Sequence, residues 1–154
     1  MKQEELQASE VEIIYRSKIP ASKRVQIRNS ADAFKLFWEH WDMSKIQYCE
    51  QFKIMILNQK NSVLGIADIS TRGITSTIID PRIVLQCALK CHGVGLILGH
   101  NHPSCNPTPS EADVAITKKL AEAGKLMEIQ VLDHLIICGD GTYYSLIEEG
   151  RFGN

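Results

Sequence analysis

A chain of 154 residues, 44% hydrophobic and 23% charged, has the size and composition of one soluble domain with a sizeable core. Its formal net charge of −1 argues against a dedicated nucleic-acid binder, which carries a basic excess on one face. The opening MKQEELQASE has no apolar leader, and the runs VGLIL and LIIC are too short to cross a bilayer, so a cytoplasmic protein without membrane association is expected.

Residues 1–9 are expected to fray, and VEIIYRS (11–17) reads as a strand, so residues 1–26 form an N-terminal arm with one strand. Ser30 is the expected N-cap of a helix whose apolar residues Phe34, Phe37, Trp38 and Trp41 recur at helical spacing. EQFKIMILNQ is a strand, 58–62 a turn, and VLGIADIS its hairpin partner. In IIDPRIVLQCALKCHG, Asp80 caps a helix, Pro81 takes its first position and Gly93 ends it. VGLILGH is a continuous apolar run, as in a central strand covered on both faces. In TPSE, Thr108 is the expected N-cap and Glu111 completes a capping box. Ala112, Ile116, Leu120 and Ala123 form the buried face of that helix, and Gly124 stops it. MEIQVLDHLIIC and TYYSL, joined through GDG, form a closing strand pair. The order predicts an α/β fold: a single mixed β-sheet flanked by helices.

Chemistry concentrates in GHNHPSCNPTPSEAD, residues 99–113. His100 and His102 follow the central strand, and residues two apart on extended backbone share a side. Pro103 pushes His102 away from helical geometry. Asp113 lies in the first turns of the next helix, three residues after Ser110. Two imidazoles and a carboxylate suit zinc and leave a tetrahedral position for water. Spacing alone leaves a chance histidine pair and an ordinary helix start as the competing reading.

The ordered signature His100, Asn101, His102, Pro103, then Ser110 and Asp113, resembles that of the JAMM (JAB/MPN) metallopeptidases. The longer pattern, with TKKL, VLDHLII and YYSLIEEG downstream, resembles the RadC branch over residues 27–150. The resemblance implies a JAB/MPN (cytidine-deaminase-like) fold and one Zn2+ held by His100, His102 and Asp113. It implies a Ser110 hydroxyl donating to the oxyanion, and Glu50, in YCEQFKIMIL, as general base. The implied reaction is hydrolysis of a peptide or isopeptide bond by metal-activated water. The alternative is a non-catalytic zinc-binding module acting in DNA repair or recombination. Longer members carry a helix-hairpin-helix segment for which residues 1–26 leave no room, so direct DNA association is expected to be weak.

Two positions depart from the pattern. Asn101 stands where most peptidase members carry Ser or Thr, and Cys105 where the RadC branch usually has glycine. Cys105, three residues past a ligand, is weighed as a sulfur ligand against a free loop thiol. Asp133–His134 is weighed as a pair orienting a metal-binding histidine against a strand-edge pair. Cys87, Cys91 and His92 are read as core packing, and Lys118, Lys119 and Lys125 as a solvated helix face. The five cysteines, with no Cys-x-x-Cys pair, are read as free thiols. Dispersed nuclease and His-x-Glu deaminase patterns do not match.

Overall fold

The computed structural model describes residues 7–72 and 79–153, so residues 1–6 of the expected frayed end lie outside it. In chain order the elements are α1 (Ser30–His40), β1 (Glu50–Leu57), β2 (Val63–Arg72), α2 (Pro81–Lys90), β3 (Gly95–Asn101), α3 (Glu111–Leu126), β4 (Gln130–Ile137) and β5 (Tyr143–Ser145). The sheet order is β2-β1-β3-β4-β5. β3 and β4 are parallel and every other pair is antiparallel, which makes the predicted mixed sheet. α3 is the crossover between the two parallel strands.

The apolar run of β3 is buried at every position, because helices cover both faces of the sheet. On one face Phe52, Ile54, Ile56, Leu96 and Leu98 pack against Val84 and Ala88 of α2 and Leu120 of α3. On the other, Met55, Leu57, Ile97, Leu135 and Ile137 pack against Ala33 and Phe37 of α1. Gly99 permits the approach of α1, since a Cβ there would sit 3.0 Å from the Phe37 ring. Among the described residues no helix is long and apolar enough to cross a membrane.

Several local expectations need correction. Residues 11–17 form no strand. Val11 and Ile13 are exposed, and the segment touches the sheet through the Tyr15 hydroxyl, which donates to Leu64 O at 2.7 Å. The arm instead pairs further on, where Ile27 N–H reaches Asn61 O and Val63 N–H reaches Val25 O. Asn29, not Ser30, caps α1 and accepts from Asp32 N–H. The Ser30 hydroxyl is engaged elsewhere, donating to Asp133 at 2.8 Å. Asp80 caps α2 as expected, but His92, not Gly93, takes the left-handed conformation at its end, with φ 56.

α3 starts two residues later than TPSE suggests. Ser110 is its N-cap and Asp113 completes the capping box. The buried face shifts accordingly to Val114, Thr117, Leu120 and Gly124, leaving Ala112 exposed. Gly124 does not stop the helix, which runs to Leu126. It lies under the chain entering β4, where an added Cβ would come within 2.4 Å of Ile129 O.

Candidate metal centre

The centre forms where β3 ends and α3 begins, the carboxyl edge of a parallel strand pair, a recurrent location for ligand sites in α/β sheets. His102 N–H still bonds Ile137 O at 3.2 Å, so the extended course of β3 continues past Asn101. His100 and His102 therefore share a face, with their Nε2 atoms 2.8 Å apart. The α3 cap delivers the third group. Ser110 Oγ accepts from Asp113 N–H at 3.1 Å, and Asp113 Oδ2 accepts from Ser110 N–H at 2.7 Å. Asp113 Oδ1 then lies 3.3 Å from His100 Nε2, and Oδ2 lies 3.4 Å from His102 Nε2.

These three ligand atoms lie within 4.8 Å of one another, and no other such group of His, Cys, Asp or Glu occurs among the described residues. The donor set fits a small divalent ion. Tetrahedral bonds of about 2.0–2.1 Å separate ligand atoms by about 3.3–3.4 Å. The two imidazole–carboxylate separations are close to that edge but run to different oxygens of Asp113, so the carboxylate would turn to present one of them, and the imidazole pair would open by about half an ångström. His102 Nδ1 sits 2.7 Å from Asn106 O. A carbonyl only accepts, so Nδ1 carries a proton and Nε2 is the nitrogen directed at the centre, where a metal would displace any proton on it.

Burial works to raise the Asp113 carboxyl pKa, but hydrogen bonds to His100 and His102 overcome it and hold the group far below the usual carboxylate range. Burial works to lower His102, but the Asp113 hydrogen bond, the Asn106 carbonyl and the charges of Asp113 and Glu50 raise it. An anionic carboxylate with two imidazole nitrogens directed at it is an electrostatic focus for a cation.

Glu50 is half-buried at the start of β1. Phe52 pairs with His100 in the antiparallel register, so residue 50 comes opposite residue 102 on the same face. Ser110 sits at the exposed mouth of the centre. Asn101 points to the other face and is fully buried. Its carbonyl accepts from Gln51 N–H at 2.8 Å, and its amide donates to Ile46 O and Cys49 O at 2.8 and 2.9 Å. It thereby ties β3 to the segment that carries Glu50.

Cys105 is not part of the metal group. Its N–H donates to His102 O, and its φ of 56 is the left-handed conformation that glycine adopts most easily. Cys87 and Cys91 pack against the core but His92, expected to join them, is exposed; all five cysteines are free, and Lys118, Lys119 and Lys125 are exposed.

Asp133 and His134 do different things. Asp133 accepts from the Ser30 and Ser145 hydroxyls and from Ile147 N–H, joining α1, β4 and β5 on the face away from the centre. His134 is fully buried beneath the centre, with Nε2 2.7 Å from His100 Nδ1 and Nδ1 2.6 Å from Thr117 Oγ1. Burial, with His100 alongside, keeps its pKa well below the ordinary histidine value. Thr117 was missed in the sequence. Its signal was a polar residue one turn after Asp113, inside the apolar stripe of α3.

A family model described as the RadC-like JAB domain matches residues 27–151. The chain belongs to the RadC-like JAB domain family. Similar relatives named UPF0758 protein come from Alkaliphilus metalliredigens (44% identity over 80% of this chain and 52% of the relative) and Flavobacterium johnsoniae (46% over 67% and 44%). A third, from Methanococcoides burtonii, is 41% identical over 81% of this chain and 53% of its own length. This RadC-like chain thus spans about half the length of the relatives it matches, and their names state no activity.

Proposed function

We propose that this RadC-like domain is a zinc-dependent hydrolase that cleaves peptide or isopeptide bonds with a metal-activated water. The observation that carries the reading is the convergence of His100 Nε2, His102 Nε2 and an Asp113 carboxylate at the carboxyl edge of the sheet. The His102 and Asp113 side chains keep 14% and 19% of their surface open, against 6% for His100, so the centre is reachable from one side. A zinc ion held by these residues would polarise the scissile carbonyl and lower the pKa of water to about 7.

The chain's own groups supply the rest. Glu50 accepts the proton of the attacking water and returns it to the departing amine, so that water adds across the C–N bond without net proton gain. The Ser110 hydroxyl hydrogen is available because its oxygen serves the cap as an acceptor, and it donates to the oxyanion. Glu50→Gln is expected to lower kcat on peptide or isopeptide substrates by about 10²–10⁴ with zinc content unchanged. Chelation is expected to abolish turnover, and Asp113→Ala to abolish zinc retention on metal analysis. Turnover surviving both chelation and Glu50→Gln would refute the reading. Zinc retention without turnover on any such substrate would leave a non-catalytic zinc module.

A further inference from the structure

We infer that Thr117 is a positioning residue: acting through His134, it fixes the tautomer in which His100 offers Nε2 to the metal. The inference rests on the metal reading above but concerns contacts present in the protein alone. Thr117 Oγ1 is 2.6 Å from Asp113 O and 2.6 Å from His134 Nδ1. The hydroxyl has one hydrogen, and the carbonyl can only accept, so that hydrogen goes to Asp113 O. Oγ1 must then accept from His134 Nδ1–H.

His134 has one other nitrogen. A second proton there would place a positive charge on a side chain with 0% exposure and no carboxylate among its hydrogen-bond partners, Thr117 and His100. Nε2 therefore accepts, and the proton between the imidazoles belongs to His100 Nδ1, 2.7 Å away. His100 Nε2 is then the nitrogen that can offer a lone pair to a metal between Asp113 and His102.

The chain of hydrogen bonds runs from the Asp113 backbone carbonyl through Thr117 and His134 to His100, whose Nε2 lies 3.3 Å from the Asp113 carboxylate. One turn of α3 thus supplies a ligand and the group that sets the protonation of its neighbour. The relay ends in a neutral hydroxyl and a carbonyl rather than the carboxylate common behind metal-binding histidines. His100 consequently gains no anionic character, and the ion it would help hold stays more electron-poor.

The test compares Thr117→Val, which keeps the shape and loses the acceptor, with Thr117→Ser, which keeps the hydroxyl. Zinc affinity is measured by competition with a chromophoric chelator, and histidine tautomers by long-range ¹H–¹⁵N correlation spectra of the metal-free protein. His134 is expected to carry its proton on Nδ1, and His100 on Nδ1, in wild type and Thr117→Ser. Thr117→Val is expected to bind zinc about 10–100-fold more weakly, with Thr117→Ser close to wild type. Wild-type-like affinity in Thr117→Val, or a wild-type His134 protonated on Nε2, would overturn the inference. Should Thr117→Val not fold, or should wild type bind no zinc, the tautomer of metal-free wild type still decides it. That second result would count against the metal reading alone.

Discussion

Ser110 carries two loads through different atoms. Its oxygen accepts from Asp113 N–H as the N-cap of α3, and in the proposed reaction its hydrogen would go to a substrate oxyanion. Ser110→Ala is expected to cost about 1 kcal/mol of stability in chemical denaturation and about 10²–10³ in kcat. Ser110→Thr is expected to recover most of both. Cys105 poses the opposite case, a side chain in a conformation that disfavours it. Cys105→Gly is expected to raise stability by about 0.5–1 kcal/mol, read as an increased denaturation midpoint, with zinc affinity unchanged. A loss of zinc affinity there would mean that sulfur reaches the metal after all. The usual glycine at this place in the RadC-like pattern follows from the backbone angle.

At the scale of elements, the centre depends on three segments being held in register. β3 provides the histidines, the cap of α3 the carboxylate, and β1 begins with Glu50. Asn101 couples the first and last of these with three buried hydrogen bonds. Asn101→Ala would strand Gln51 N–H, Ile46 O and Cys49 O, and is expected to cost at least about 2 kcal/mol by denaturant titration. The histidines would stay on β3, so the remaining folded protein should retain zinc while kcat falls. The Ser or Thr found there in most peptidase members offers fewer hydrogen-bonding atoms than the amide, which here satisfies three backbone groups at once. Thus Asn101 has a structural explanation on the far face of the sheet, away from His100, His102 and Asp113.

For the whole molecule, the candidate ligands come from both ends of the β3–α3 connection, so a metal bound there would couple to folding. Zinc at about 100 times its Kd is expected to add about 2.7 kcal/mol of stability. For a domain of this size that corresponds to a Tm increase of about 5–10 °C, reversed by chelator and absent in Asp113→Ala. The arrangement of elements was well legible: the hairpin, the central strand, the three helices and the closing strand pair all follow from period, caps and turns. The strand predicted over 11–17 was not, because β-propensity forms no strand without a partner edge, and this segment meets β2 through one tyrosine hydroxyl. The caps of α1 and α3 were each misplaced because several cap-competent residues stand in a row, and tertiary contacts choose among them. Ser30 is taken by Asp133, and Ser110 closes the box with Asp113.

From residue 30 onward the sequence by itself determined the element types and the mixed α/β layout, which are written in local spacing, while His100, His102, Ser110 and Asp113 stood out through an ordered motif that resembles a family signature. Only the tertiary structure decided what lies behind and beside them. His134 and Thr117 reach His100 from β4 and α3, Asn101 grips the start of β1, and Cys105 lies outside the group of candidate ligands. Those contacts join residues distant along the chain, and local period and capping chemistry carry no information about which distant groups share a hydrogen bond.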